Sequence, residues 1–160
     1  MASLIDRVRW SRSVRRLADQ RGAELLEFAL VMPLLLVLTA GIIDFGLLFR
    51  DYEVVTNAAR EGARVAVLPG YTDADAVARA NSYLVASGLT PTDTPTVVPV
   101  PIPAGGAGAP TFPGFQVTVQ YDHQMLMLGP LMGLLGGSFP TSLTVTGTSV
   151  MRGETSAAGP

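Results

Sequence analysis

The sequence predicts an α+β protein with one long N-terminal helix, a second shorter helix and a small antiparallel β-sheet. Near the N-terminus lies an apolar run of helical length, FALVMPLLLVLTAGIIDFGLLF, at Phe28–Phe49. Small apolar residues then recur at helical spacing. The C-terminal half instead contains β-branched segments separated by Pro- and Gly-rich stretches, a pattern that is typical of short strands.

The composition favours a membrane protein with one modest globular unit. Of the 160 residues, 48% are hydrophobic and 15% are charged, which is an apolar balance for a small soluble domain. The net charge of -2 gives no basic surface of the kind that binds nucleic acid. The absence of cysteine excludes a disulfide-stapled module and a thiolate metal site.

The apolar run predicts a single transmembrane helix, because about 20 mostly apolar residues cross a bilayer. The preceding Met1–Arg21 has six arginines against two aspartates, which predicts that the N-terminus is cytoplasmic and the C-terminus exported. A buried core helix would show a polar face, and this segment has none. The predicted organisation is a basic leader (1–22), a transmembrane helix (23–50), an exported α+β domain (51–155) and a disordered tail (156–160).

A cleaved secretory signal peptide is the main alternative for this segment. Its apolar core is shorter, and a small-x-small cleavage site should follow it. The candidate site, Leu38-Thr39-Ala40, lies inside the apolar run, which continues well beyond it. The pattern therefore favours a retained membrane helix.

The helix is expected to continue past the membrane, from about Leu25 to Leu68, until Pro69-Gly70 ends it. Small residues spaced four apart let another backbone approach closely. This small-residue face packs either on the chain's own sheet, which we favour, or on neighbouring copies. Its members are Ala58, Ala59, Gly62, Ala63 and Ala66.

The remaining elements follow from local patterns. Asp73–Ser87 is predicted to be a helix capped by Gly88. The segment HQMLMLGPLMGLLGG is apolar and rich in Gly, and we expect a loop or short helix that packs on the sheet and touches the membrane surface. The other predictions are an edge strand at Thr96–Ile102, a flexible loop at Pro103–Gly114, and strands at Phe115–Tyr121 and Ser142–Met151.

The residues give little support for catalysis. His123 has no recognisable nucleophile motif near it and is expected to be structural or solvated. Asp73 and Asp75 open a helix, where acidic side chains complement the helix dipole, so we interpret them as caps rather than metal ligands. The sequence therefore predicts a protein that is not an enzyme, with no cofactor, no metal ion and no small-molecule substrate.

Two acidic residues and a proline in or beside the apolar run need a physical reason. An ionised side chain deep in a bilayer costs about 2.5–3.5 kcal/mol on insertion scales. Glu27 lies at the cytoplasmic entry and Asp44 near the outer exit. Either acid reaches the lipid interface, or Asp44 pairs with another helix. Pro33 leaves the carbonyl of Ala29 without its helical donor, so either the helix kinks or a partner supplies the bond.

Residues Arg21–Arg64, RGAELLEFALVMPLLLVLTAGIIDFGLLFRDYEVVTNAAREGAR, resemble the TadE-like family of minor pseudopilins from tight-adherence pilus systems. Gly22-Ala23-x-x-x-Glu27-Phe28 is similar to a prepilin peptidase site, although Glu24 adds a second acid near it. Two further segments are similar to signatures of the family. One is Glu27-Phe28-Ala29-Leu30 followed by Pro33, and the other is NAAREGAR at Asn57–Arg64.

The resemblance implies cleavage after Gly22 and a role in pilus assembly, with Glu27, Phe28, Pro33 and Asp44 in subunit assembly. It also implies four partners: a prepilin peptidase, a major pilin, other minor pseudopilins and an inner-membrane assembly platform. Whether the chain enters the extracellular pilus stays open. The alternative is an uncleaved membrane-anchored module that docks a secretion or cell-envelope complex.

Overall fold

The computed structural model describes residues 4–103, 105 and 111–153, with side chains described from residue 22 onward. The predicted disordered tail (156–160) lies outside these residues. The architecture is α+β, as the sequence predicts. The elements are α1 (Leu4–Ala66), α2 (Asp73–Ala86), β1 (Thr96–Pro103), β2 (Thr111–Gln124), α3 (Leu128–Leu134) and β3 (Ser142–Arg152).

Helix α1 starts well before the predicted Leu25 and ends two residues before the predicted Leu68. No proline interrupts the chain before Pro33, and the single Gly22 costs a helix only about 1 kcal/mol relative to Ala. The helix continues through Pro33. After Ala66 the amide of Leu68 bonds to Val65 O at 3.0 Å, and Gly70 takes a φ of +83°.

Helix α2 confirms the predicted start at Asp73 and has defined caps at both ends. The Thr72 hydroxyl accepts from the Asp75 amide, and the Asp75 carboxylate accepts from the Thr72 amide and hydroxyl. These bonds hold the pKa of Asp75 below its ordinary value. At the other end Gly88 takes a φ of +81°, and the Leu89 amide bonds to Leu84 O at 2.9 Å, which closes a Schellman motif.

The three strands form an antiparallel sheet in the order β1-β2-β3. Register pairs Thr96 with Thr118 in the first ladder and Gln116 with Val150 in the second. Because β2 is central, it contributes both Val117 and Val119 to the core, and each is fully buried.

Strand β1 is the edge strand that its prolines predict. Pro99, Pro101 and Pro103 occupy alternate positions, so they share one backbone edge of the strand. That edge can face away from β2, and a residue there needs no amide to join the ladder. The same prolines hinder another strand from pairing on the open side.

The predicted loop at Pro103–Gly114 is wrong at both ends. Pro103 ends β1, and Thr111–Gly114 belong to β2, where Pro113 lies opposite Pro101. Strand β2 also extends beyond the predicted Phe115–Tyr121 through Gln124, because β3 pairs with it from Gly114 to Gln124. Pairing with two neighbours stabilises residues whose local pattern resembles a turn.

The apolar segment after β2 forms the short helix α3, one of the two alternatives expected for it. The segment between β2 and β3, residues 125–141, forms an excursion that contains α3. The Met125 amide bonds to Thr141 O at 2.8 Å and closes the base of this excursion. Met125 and Leu128 are buried, whereas Leu134 is 83% exposed.

Two compact units make up the chain, Met1–Ile42 and Ile43–Pro160. The second unit contains the hydrophobic core, which consists mainly of small and β-branched side chains. Helix α1 supplies six of its residues, and α2, the loop after it, β2 and β3 supply the others. Its members are Val55, Ala58, Ala59, Ala63, Val65, Ala66, Ala76, Ala80, Leu84, Leu89, Val117, Val119 and Val145.

Strand β3 approaches α1 almost backbone to backbone at Gly147. A Cβ built on Gly147 would lie 2.7 Å from Val55 O and 2.8 Å from Thr56 N. Atoms of a neighbouring backbone cannot move aside as a flexible side chain does. The absence of a side chain at Gly147 therefore sets the distance between α1 and the sheet.

We predict that Gly147→Ala destabilises the folded domain by about 1–3 kcal/mol, the usual cost of overpacking. Thermal unfolding of the detergent-solubilised full chain, followed by circular dichroism, measures the effect. Gly133→Ala is the control, because a Cβ at Gly133 would meet nothing within 4 Å. Equal melting temperatures for the two variants would contradict the close approach at Gly147.

Candidate assembly and processing site

The residues of the proposed cleavage site lie on an open helical surface. Gly22, Ala23, Glu27 and Phe28 are all exposed on α1, and a Cβ built on Gly22 would meet nothing within 4 Å. Ala23 and Glu27 are four residues apart and therefore share one face. No side chain from residue 22 onward forms an ion pair with Glu27. The site is thus accessible in the part of the chain that the structure describes.

The apolar part of α1 exposes large side chains around the helix. Leu25, Leu26, Leu30 and Leu34 are each more than 65% exposed. Among the described residues, one helix, at Gly22–Ala66, is long and apolar enough to cross a membrane. Only 6% of its most apolar window is buried. A core helix of a soluble protein would bury that surface, so this segment needs an apolar environment from outside the chain.

Asp44 is fully buried and caps another segment of its own chain. Its Oδ1 accepts from the Leu126 amide at 3.2 Å. Its Oδ2 accepts from the Met127 amide at 3.1 Å and from the Leu128 amide at 2.7 Å. The first amides of a helix have no partner within the helix, and at α3 no local side chain caps them.

This contact is one that the sequence did not reveal. Asp44 was expected to reach the lipid interface or to pair with another helix, and the described contacts instead show an acceptor for amides 82 to 84 residues away. The signal was an acid inside an apolar run, which requires a partner. Nothing local identifies that partner, because backbone amides are present at every residue except proline. A role for Asp44 between subunits stays a prediction.

His123 is buried in β2 and pairs with Asp51 of α1. The distance from Nδ1 to Asp51 Oδ2 is 2.7 Å, and both side chains are less than 10% exposed. Arg50 lies 3.5 Å from the other carboxylate oxygen and also donates to Ser87 O at 3.1 Å. Burial, and next the charge of Asp51, raise the pKa of Tyr121.

The geometry around His123 fits a structural role better than a catalytic one. An Asp–His pair activates a nucleophile through the second ring nitrogen. At His123 that nitrogen, Nε2, is buried and has no hydrogen-bond partner among the described residues. The pair ties β2 to α1, as the sequence expectation of a structural histidine allowed.

The small-residue face of α1 contacts the chain itself. Ala58, Ala59 and Ala63 are fully buried. A Cβ built on Gly62 would lie 3.1 Å from Val117 Cγ1 of β2 and 3.2 Å from Ala76 O of α2. Of the two alternatives, the described contacts match packing within the chain.

The polar face of the NAAREGAR segment links α1 to α2. Glu61 Oε2 accepts from Arg79 of α2 at 3.0 and 2.7 Å and from Arg64 at 3.1 Å. The Arg79 hydrogen bonds, and then those of Arg64, lower the pKa of Glu61. Arg60 also bonds to Asn57 at 3.2 Å. The segment thus packs on one side through small residues, and on the other side the Glu61–Arg79 ion pair joins it to α2.

The family model described as TadE-like protein matches residues 22–64. The match confirms the resemblance seen in the sequence. It begins at the proposed cleavage residue Gly22, includes the apolar helix and ends with NAAREGAR at Arg64. No curated protein and no solved structure matches the chain.

We predict that Asp44→Ala leaves the backbone amides at the start of α3 without their hydrogen-bond acceptor and makes this segment more mobile. Each buried amide that loses its acceptor costs about 1–3 kcal/mol, so amides 126–128 should exchange with solvent at least about tenfold faster. Hydrogen exchange with mass spectrometry on the detergent-solubilised chain measures this. Asp73→Ala, which removes an exposed acid of α2, is the control. Unchanged exchange at 126–128 in Asp44→Ala would contradict the contact.

We predict that Glu61→Gln weakens the domain by about 0.2–1 kcal/mol at neutral pH, the range for exposed ion pairs. Because its folded-state pKa is lowered from 4.5, Glu61 stabilises the fold above that value. The contribution disappears as the pH falls through the lowered pKa. The melting temperatures of the unsubstituted chain and of Glu61→Gln should differ at neutral pH and become equal at acidic pH. Glu53→Gln, at an exposed acid of α1 that forms no ion pair with the described residues, should show no such convergence.

Proposed function

We propose, from the TadE-like match over residues 22–64, that the chain is a minor pseudopilin that primes or supports assembly of a tight-adherence pilus. The observation that carries the proposal is that one continuous match joins three features: the candidate cleavage site, the candidate membrane helix and NAAREGAR. A role limited to membrane anchoring would require only the second feature.

The proposed topology places the N-terminus in the cytoplasm and the α+β domain outside the inner membrane. The arginines before Gly22 support this direction, because basic residues accumulate on the cytoplasmic side of membrane helices. Gly22 then lies close to the cytoplasmic membrane surface, where a membrane-embedded prepilin peptidase acts. Cleavage would remove the leader and leave the apolar helix on the mature protein.

Cleavage after Gly22 would create a new α-amino group on Ala23, four residues from Glu27. The amine has an ordinary pKa of about 7.7–8.0 and is mostly positive at neutral pH. At the border of an apolar environment a charge is less costly when it is paired. Glu27 either pairs with the amine of its own chain or accepts the amine of a neighbouring subunit. The second arrangement would neutralise both charges and set the axial register of a fibre.

The two halves of α1 differ in their contacts. From Val55 to Ala66 the small-residue face is buried against α2 and the sheet. From Leu25 to Leu34 the leucines are exposed on the described chain. We therefore propose that major pilin, other minor pseudopilins and the inner-membrane platform contact the chain through the N-terminal half, near Glu27, Phe28 and Pro33.

N-terminal mass spectrometry of the protein from membranes and from sheared surface fibres tests the proposal. We expect a mature chain that begins at Ala23 in the membrane fraction. Its presence in fibres would place the subunit in the pilus, and its absence there would restrict it to the base. A chain that retains residues 1–22 would refute processing and favour the uncleaved interaction module.

We predict that Glu27→Ala and Glu27→Gln insert and are cleaved normally but reduce the yield of sheared fibres, because the new amine loses its partner. Glu27→Asp keeps the charge and should retain part of the yield. Processing and fibre yield are measured in the same strains, with Glu53→Gln as the control. Normal fibres with Glu27→Ala would refute the pairing, and a block in cleavage would move the role of Glu27 to peptidase recognition.

A further inference from the structure

The excursion between β2 and β3 presents an uncharged, apolar surface. Residues 124–141 contain no Asp, Glu, Lys or Arg. Within them, large side chains point away from the domain: Leu126 is 63% exposed, Met127 46%, Leu134 83% and Leu135 47%. A domain that faced only water would rarely place such side chains together.

Asp44 fixes the level of this surface along α1. It bonds to the amides of residues 126–128 and lies six residues before Arg50, the first charged residue after the apolar run. At about 1.5 Å per residue, Asp44 is about 9 Å from Arg50 on the membrane side. The start of α3 must lie at the same level, beside the apolar run.

The contact also satisfies the requirements of both partners in an apolar environment. A backbone amide without an acceptor is tolerated poorly in a bilayer, and so is a carboxylate without donors. Asp44 supplies acceptors to three successive amides, and these amides supply donors to Asp44. Neither group needs water once the contact has formed.

Aromatic side chains of α1 follow Asp44 up to Arg50 and just beyond it. Phe45 is 52% exposed, Phe49 63% and Tyr52 48%. They line an apolar cleft of about 520 Å³ that β3 closes on its other side, through Leu143 and Val145. Aromatic residues concentrate where a membrane protein crosses from hydrocarbon to water.

We propose that α3 and residues 125–127 insert into the exported-side leaflet of the bilayer as a second membrane contact, with Asp44 as its internal anchor. This inference rests on the proposed membrane anchoring by α1. The occupant is lipid rather than a second copy of the chain, because the anchor lies within the apolar run itself. The domain would then rest on the membrane at a fixed level instead of swinging from a single helix.

Tryptophan fluorescence in vesicles tests the insertion. Trp10, the sole tryptophan of the sequence, is replaced by phenylalanine in every variant. Leu134→Trp and Leu126→Trp then place the probe on the proposed surface. Tyr71→Trp places it beyond the far end of α1, and Leu30→Trp within the apolar run. The full chain is reconstituted in phosphatidylcholine and phosphatidylglycerol vesicles, with or without brominated acyl chains.

We expect bromine to quench Leu134→Trp and Leu126→Trp about as strongly as Leu30→Trp, with blue-shifted emission, and to leave Tyr71→Trp unchanged. Both replaced leucines are exposed, and circular dichroism verifies that the variants fold. Blue-shifted emission that bromine does not quench would show that protein covers the surface, and quenching by aqueous iodide would show water. Either result overturns the proposal. A Leu30→Trp variant without quenching would instead refute the membrane anchoring itself.

Discussion

The α+β domain depends on how closely the second half of α1 can approach its neighbours. Two glycines set that approach, Gly147 against the α1 backbone and Gly62 between β2 and α2. The alanines of α1 and α2 fill the remaining space. A core of small side chains buries little apolar area per residue, so its stability relies on dense packing. One added methyl group is enough to destabilise such packing. Leu84 and Leu89 are the largest side chains of this core, and most of the large apolar side chains described on α1 are exposed.

The two halves of α1 therefore meet different requirements with one continuous helix. From Val55 onward, small residues allow contact with α2 and the sheet, while Glu61 and Arg79 fasten the polar side. Before Asp44, leucines and Phe28 are exposed and need lipid or other helices around them. This division supports the proposal of a subunit that is anchored as a monomer and assembled through the same helix. The family match ends at Arg64, two residues before the end of α1.

Asp44 and Asp51 join α1 to distant parts of the chain at the border of these halves. Asp44 holds the start of α3, and Asp51 holds His123 of β2. Both acids are buried, and each has the hydrogen-bond partners that a buried carboxylate requires. The border of the proposed membrane segment is thus also the place where the β2–β3 excursion is attached.

The sequence by itself determined the elements that depend on local pattern: the α+β class, the apolar helix, the start of α2 at Asp73 and the edge position of β1 with its alternate prolines. The resemblance of residues 21–64 was also visible in the sequence alone. Tertiary structure alone decided the partners of Asp44 and His123 and the pairing of Glu61 with Arg79, because each of these contacts joins residues on different elements of the chain. It also decided that Thr111–Gly114 extend β2, where two flanking strands outweigh the turn tendency of Pro113 and Gly114. Local periodicity carries no information about which distant backbone approaches a given side chain, and the close packing at Gly147 follows from that same long-range geometry.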